Sequence, residues 1–143
     1  MGKTNVYEKS ILNILFNAVA IADIAENDTS SPATNLYVSF HTSTGPGEGG
    51  TQSTNETNYG AYARVAVART TTGWKVTGNT VYPRANIAAP TPTSGSGTLT
   101  YFGIGVSTTG ATALYYSGTI SPSITVTTGG APTLVTGTSI TES

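Results

Sequence analysis

The stretch GTLTYFGIGVSTTG, residues 97–110, decides the fold class of this chain. Thr100, Phe102, Ile104 and Val106 fall on one side of an extended backbone and Leu99, Tyr101, Gly103 and Gly105 on the other, so a period of two predicts a central strand over Thr98 to Ser107. Two glycines on one face leave room for a close neighbour, an aromatic side chain or an N-terminal helix crossing the sheet. Gly103-Ile104-Gly105 is no nucleotide fingerprint, because no third glycine opens a helix after it.

Working outward, the chain turns through Gly110 and returns over Leu114 to Ile120, and Ile124–Thr127 and Leu134–Ile140 read as a last pair around Thr128-Gly129-Gly130-Ala131-Pro132. On the other side, Pro83, Pro90 and Pro92 bracket Ile87 and mark an edge or irregular strand, since proline cannot donate to a ladder. Trp74 and Val76, a Gly78-Asn79 turn and Val81 spell a hairpin. Tyr59 to Thr70 reads as a strand. So does Leu36 to His41, with Leu36, Val38 and Phe40 facing one way and Tyr37, Ser39 and His41 the other. Eight or nine strands with no helix between them predict an all-β, antiparallel β-sandwich of the jelly-roll kind.

One helix precedes it. Asn5 and Glu8 read as a capping box that starts a helix near Val6 and carries it to Ile21. Tyr7, Ile11 and Leu15 form one apolar line at i, i+4 spacing, and Leu12, Phe16 and Val19 form the adjacent one, leaving only Lys9, Asn13 and Asn17 as a polar stripe. Two apolar lines exceed what one sheet face covers, so these six residues are the predicted interface, one line on the chain's own sheet and the other on a partner. The expected organisation is a helical arm over residues 1–24, a connector over 25–35 and a β body over 36–143.

Composition limits the chemistry. Charged residues make up 9% of 143 residues and the net charge is −1, which suits a protein whose faces pair with other protein, as a homodimer or homotrimer. Lys3, Lys9, Arg64, Arg69, Lys75 and Arg84 are scattered and form no stripe for phosphates, so nucleic acid is not an expected partner. The run before Ala20-Ile21-Ala22 is broken by Asn13 and Asn17, which argues against a leader, and it is too short for a membrane span. Cysteine is absent, which excludes disulfides and thiolate chemistry.

His41 is the single histidine, and the two aspartates, Asp23 and Asp28, lie in the connector or at the helix end. No Ser/His/Asp set and no H-x-x-H pair can be assembled, so no catalytic residue, metal or cofactor is expected. His41 is expected at a strand end, on the surface or hydrogen-bonded. Thr42 to Asn58 reads as a long surface loop. Its Glu48 and Glu56 are read as solvated loop charges and as a second, loop-borne interface; a glycosidase pair or calcium site is the competing reading. The tyrosines and Trp74 read as strand packing rather than as a sugar-binding row.

Taken together, LYVSFHT (36–42), the Gly-rich loop, YGAYARVAVAR (59–69), the hairpin at Trp74, GTLTYFGIGVSTTG (97–110) and LYYSGTI (114–120) resemble the capsid cement, or decoration, proteins of tailed phages, sequences often labelled tail-fibre-like. The resemblance implies a jelly roll that binds as an oligomer to the outside of an icosahedral capsid and clamps neighbouring major capsid protein subunits. The alternative is a tail-associated receptor- or glycan-binding module.

Overall fold

The computed structural model describes residues 2–21, 25 and 32–143. Asp23 and Asp28 lie outside the described residues. The chain folds into two compact units, one of Met1–Asn35, Ala68–Asn86 and Val135–Ser143, the other of Leu36–Val67 and Ile87–Leu134.

The first unit is built around helix α1 (Asn5–Asn17). Its N-cap is Thr4 rather than Asn5: the Thr4 hydroxyl accepts the Tyr7 N–H at 3.4 Å and Asn5 is the first helical residue. Two cap-competent residues adjoin here, and the earlier one adds a residue to the helix. The helix also stops four residues short of Ile21. Ala18 turns into the left-handed region (φ 57) and the Val19 N–H reaches back to the Asn13 carbonyl at 3.1 Å, a stop usually made by glycine. No basic residue lies in its last turn. Arg69 supplies the missing donors, with Nε on the Leu15 carbonyl at 2.6 Å and Nη2 on that of Ile14, where cation and helix dipole attract.

Leu12 and Phe16 are wholly buried. Phe16 meets Trp74 edge to face at 4.8 Å between centroids. Trp74 opens β3 (Trp74–Thr77), which pairs with β4 (Thr80–Pro83) in the expected hairpin, Thr77 opposite Thr80 across Gly78-Asn79. Gly78 has φ 61, the conformation a two-residue turn needs at its first position. β4 also pairs with β9 (Ile140–Thr141). Lys3 and Glu142 form an ion pair.

The second unit holds a four-stranded sheet ordered β2-β1-β6-β7, with β1 Asn35–His41, β2 Val65–Ala68, β6 Gly97–Gly105 and β7 Leu114–Val126. β6 is central, as its alternation predicts, and pairs antiparallel with β1 and β7. β5 (Ile87–Ala88) pairs with β8 (Thr133–Leu134). Leu36, Val38, Phe40, Leu99, Phe102 and Ile104 are buried in its core.

Among the described residues the fold is therefore β with antiparallel sheets and one N-terminal helix, as expected. Three local expectations change. The second strand is only Val65–Ala68, because Tyr62 and Arg64 before it are used in loop contacts. β7 runs unbroken from Leu114 to Val126 through Ser121-Pro122. Ile124–Thr127 and Leu134–Ile140 do not pair with each other: Ile124 lies in β7 opposite Leu99, Leu134 in β8 joins β5, and Ile140 in β9 joins β4.

Candidate functional site

The densest polar chemistry lies where β1 ends. Ser39 and His41, expected on an outer polar face, have no exposed surface, because residues 42–58 fold back over that face. Backbone bonds hold the return: the Thr42 N–H reaches the Asn55 carbonyl at 2.8 Å and the Thr57 N–H that of Phe40 at 2.9 Å. The segment expected to be a solvated loop is thus a lid.

Room under the lid comes from β6. A methyl group on Gly103, which sits opposite Ser39, would lie 2.8 Å from His41 Nε2 and 2.8 Å from Ser39 Oγ. One on Gly105 would lie 2.1 Å from the Gln52 carboxamide. The neighbours that the glycines admit are therefore β1 side chains, Leu114 of β7, whose Cδ1 would lie 2.6 Å from a Gly103 methyl, and a loop glutamine, not an aromatic ring or α1.

His41 Nδ1 is 2.8 Å from the Thr54 carbonyl and Nε2 is 2.9 Å from Ser39 Oγ. A carbonyl only accepts, so in the neutral ring Nδ1 carries the proton and Nε2 accepts from the Ser39 hydroxyl. Burial pushes the His41 pKa down, against the Thr54 hydrogen bond and Glu56, because a charged ring would lose its hydration. The surface reading of His41 fails and its hydrogen-bonded alternative holds. A hydroxyl on a histidine is a nucleophile-base geometry, yet both groups are sealed from solvent and the orienting partner is a carbonyl.

Arg64 is the second centre. Its Nε and Nη2 clasp the two Glu56 oxygens at 2.8 Å each, Nη2 also reaches the Gly110 carbonyl at 2.8 Å, and Nη1 reaches the Ser107 carbonyl at 3.1 Å and Gln52 Oε1 at 3.4 Å. These contacts engage all five guanidinium N–H groups. The Glu56 hydrogen bond raises the Arg64 pKa, so the cation is fixed. Tyr62 donates to Glu56 Oε1 at 2.8 Å and accepts the Phe40 N–H at 3.0 Å; burial raises the pKa of its hydroxyl. Gln52, wholly buried, donates to the Tyr37 carbonyl at 3.0 Å and accepts from the Thr112 hydroxyl at 3.0 Å.

A cleft of about 390 Å³ opens over this pair, lined among others by Asn58, Tyr59, Tyr62, Thr108 and Thr109. Tyr59 stands edge-on to Tyr62 and is only 5% exposed, so it offers no open ring face to a sugar. Glu56 is an ion-pair partner, not a solvated charge, whereas Glu48 is exposed and stands outside the network. Among the described residues no cluster of three His, Asp or Glu could hold a metal.

Of the predicted helix residues, Leu12 and Phe16 face the first unit's core, Ile11 and Leu15 are half-buried, and Tyr7 and Val19 are exposed. Gln52, Tyr62 and Arg64 carry the polar centre and were not singled out. Their signal in the sequence is slight: a lone arginine in the Ala/Val alternation of residues 61–68, and the only long uncharged polar side chain in a loop of small residues.

Residues 2–141 match the family model of the podophage GP4 fiber I protein gp80, and the chain belongs to that family. No curated protein matches it. The match supports a phage structural, fibre-like protein; it does not carry the finer assignment to capsid cement.

Proposed function

We propose that this member of the podophage fiber I family is a non-enzymatic structural subunit of the virion that works through contact surfaces in the fibre assembly. The observation that carries this reading is the internal engagement of the polar centre: all five Arg64 donors and both Glu56 oxygens are bonded within the chain, leaving no Arg64 N–H for a substrate and the Glu56 carboxylate neutralised. The network instead holds residues 42–58 and 107–112 rigid on the end of the sheet, which is what a contact platform requires. The partners proposed are proteins, a second copy of this chain and other particle proteins. No nucleic-acid role is proposed. No described helix is long and apolar enough to cross a membrane, and no membrane role is proposed.

A second reading, a cement protein on the outer surface of the capsid that clamps the major capsid protein, draws support from α1, where Val6 and Tyr7 are 78% and 44% exposed beside half-buried Ile11 and Leu15. Immunogold labelling or reconstruction of the particle separates the two. Density confined to tail-borne fibres supports the first reading, density spread over the shell supports the second, and a protein missing from purified virions removes both.

A further inference from the structure

We propose that the outer edge of β7 is a self-pairing surface, on which a second copy of this chain adds its own β7 antiparallel about a two-fold axis at Ser117. β7 ends the order β2-β1-β6-β7, so among the described residues its side away from β6 is a sheet edge. Sheet edges in soluble proteins are normally guarded by lysines or other charges. Leu114–Val126 (LYYSGTISPSITV) contains no charged residue. The opposite edge differs, since β2 is four residues long and lies between Arg64 and Arg69.

The sequence of β7 is complementary to itself. Residues alternate between half-buried Leu114, Tyr116, Gly118 and Ile120 and exposed Tyr115, Ser117 and Thr119. Antiparallel pairing centred on Ser117 sets Tyr116 opposite Gly118 on the face that Gly118 shares with Phe102; Leu114, beyond the register shift at Ile104/Gly105, turns to the other face against Gly103 and stays outside the paired stretch. The two-fold axis makes this match twice, each time setting a large aromatic side chain over a glycine, and cross-strand pairs of that kind stabilise a sheet. The partner's Tyr116 comes down beside the Phe102 ring, which already covers Gly118. Irregular pairing to β6 at Ile104/Gly105 and at Leu99/Tyr101 bounds the regular edge on both sides, and Pro122 prevents the ladder from running on. So short a contact falls below the roughly 800 Å² per partner of a stable interface. The free chain should therefore dimerise weakly, with a two-fold contact that closes rather than growing into a filament.

The inference does not depend on where the protein sits in the particle, and the chain's lack of cysteine gives it a clean test. Ser117→Cys and Thr125→Cys, both at exposed β7 positions, are oxidised as full-length chains at high micromolar concentration. Ser117 lies opposite itself on the proposed axis, within disulfide reach. It should form covalent dimer at least about tenfold faster than Thr125→Cys, which lies beyond Pro122. Ser117→Lys, which sets two like charges face to face, should abolish the concentration-dependent dimer in sedimentation while leaving circular dichroism unchanged. Equal cross-linking of the two cysteine variants, cross-linking of neither, or a dimer unaffected by Ser117→Lys each overturns the inference.

Discussion

Phe16 and Arg64 stand at the centres of two regions held together by opposite means. Around Phe16, a helix face and a hairpin exclude water through Leu12, Trp74 and Val81, a contact that is non-directional and falls in proportion to the area lost. Around Arg64, a carboxylate, a glutamine, a tyrosine and two loop carbonyls satisfy one another. A half-satisfied network of that kind is worse than none, because each orphaned group keeps its desolvation cost. The first region grades its response to mutation; the second fails as a unit.

The largest expected effect follows from that contrast. Arg64→Ala leaves Glu56 and Gln52 without their cation and should cost about 4 kcal/mol, read as a lower denaturation midpoint together with loss of amide protection over residues 42–58. Adding Glu56→Gln to an Arg64→Met change should recover much of it, since the uncompensated carboxylate is then gone. If the single and double variants are equally unstable, the network is not cooperative. Leu12→Ala should cost about 3 kcal/mol by transfer and cavity, with no rescue by any neighbouring polar change.

Gly105→Ala tests the space beneath the lid. Its methyl would meet the Gln52 carboxamide at 2.1 Å, so Gln52 must leave its partners or the lid must lift, at about 2 kcal/mol. The two regions also differ in how far their sequences disclose them. The helix lines, the Gly78-Asn79 hairpin and the central strand follow from apolar spacing, because burial of apolar side chains is what periodicity records. The lid does not follow, since Ser39 and His41 look like the polar face of a half-buried strand until a loop of glycines and threonines closes over them. Polar networks depend on angles between groups distant in sequence, and no spacing rule encodes Arg64 meeting Gly110 across 46 residues. Only the two glycines of β6 hinted that something approached closely.

Acid should act on the lid alone. His41 is neutral in the folded state with its pKa below the usual 6.5, while the unfolded chain binds a proton there near that value. Stability is thus fully present above pH 6.5 and is lost as pH falls from 6.5 toward the folded pKa, by at most about 1.4 kcal/mol per pH unit. A thermal melt series from pH 7.5 to about 5, above the range where ordinary carboxylates titrate, should show that slope in the parent and a flatter line in His41→Gln. An unchanged slope would assign the acid sensitivity to another group.

The smallest effect on stability is expected on the outer face of α1, where it carries the most information about function. Val6 and Tyr7 are 78% and 44% exposed, so replacing both with Ser removes little buried area and should shift stability by about 0.5 kcal/mol or less. Leu12 and Phe16 lie on the same helix, but their paired replacement by Ser places two hydroxyls in the core against Trp74, and that variant should not fold. If the Val6/Tyr7 variant melts like the parent yet is lost from assembled particles, the exposed line of α1 is a docking face, separate from the line that holds the first unit together. If it is incorporated at parental levels, α1 serves only its own hairpin, and attachment must fall to the platform over residues 42–58 and 107–112, where Glu48→Lys is the next change to make.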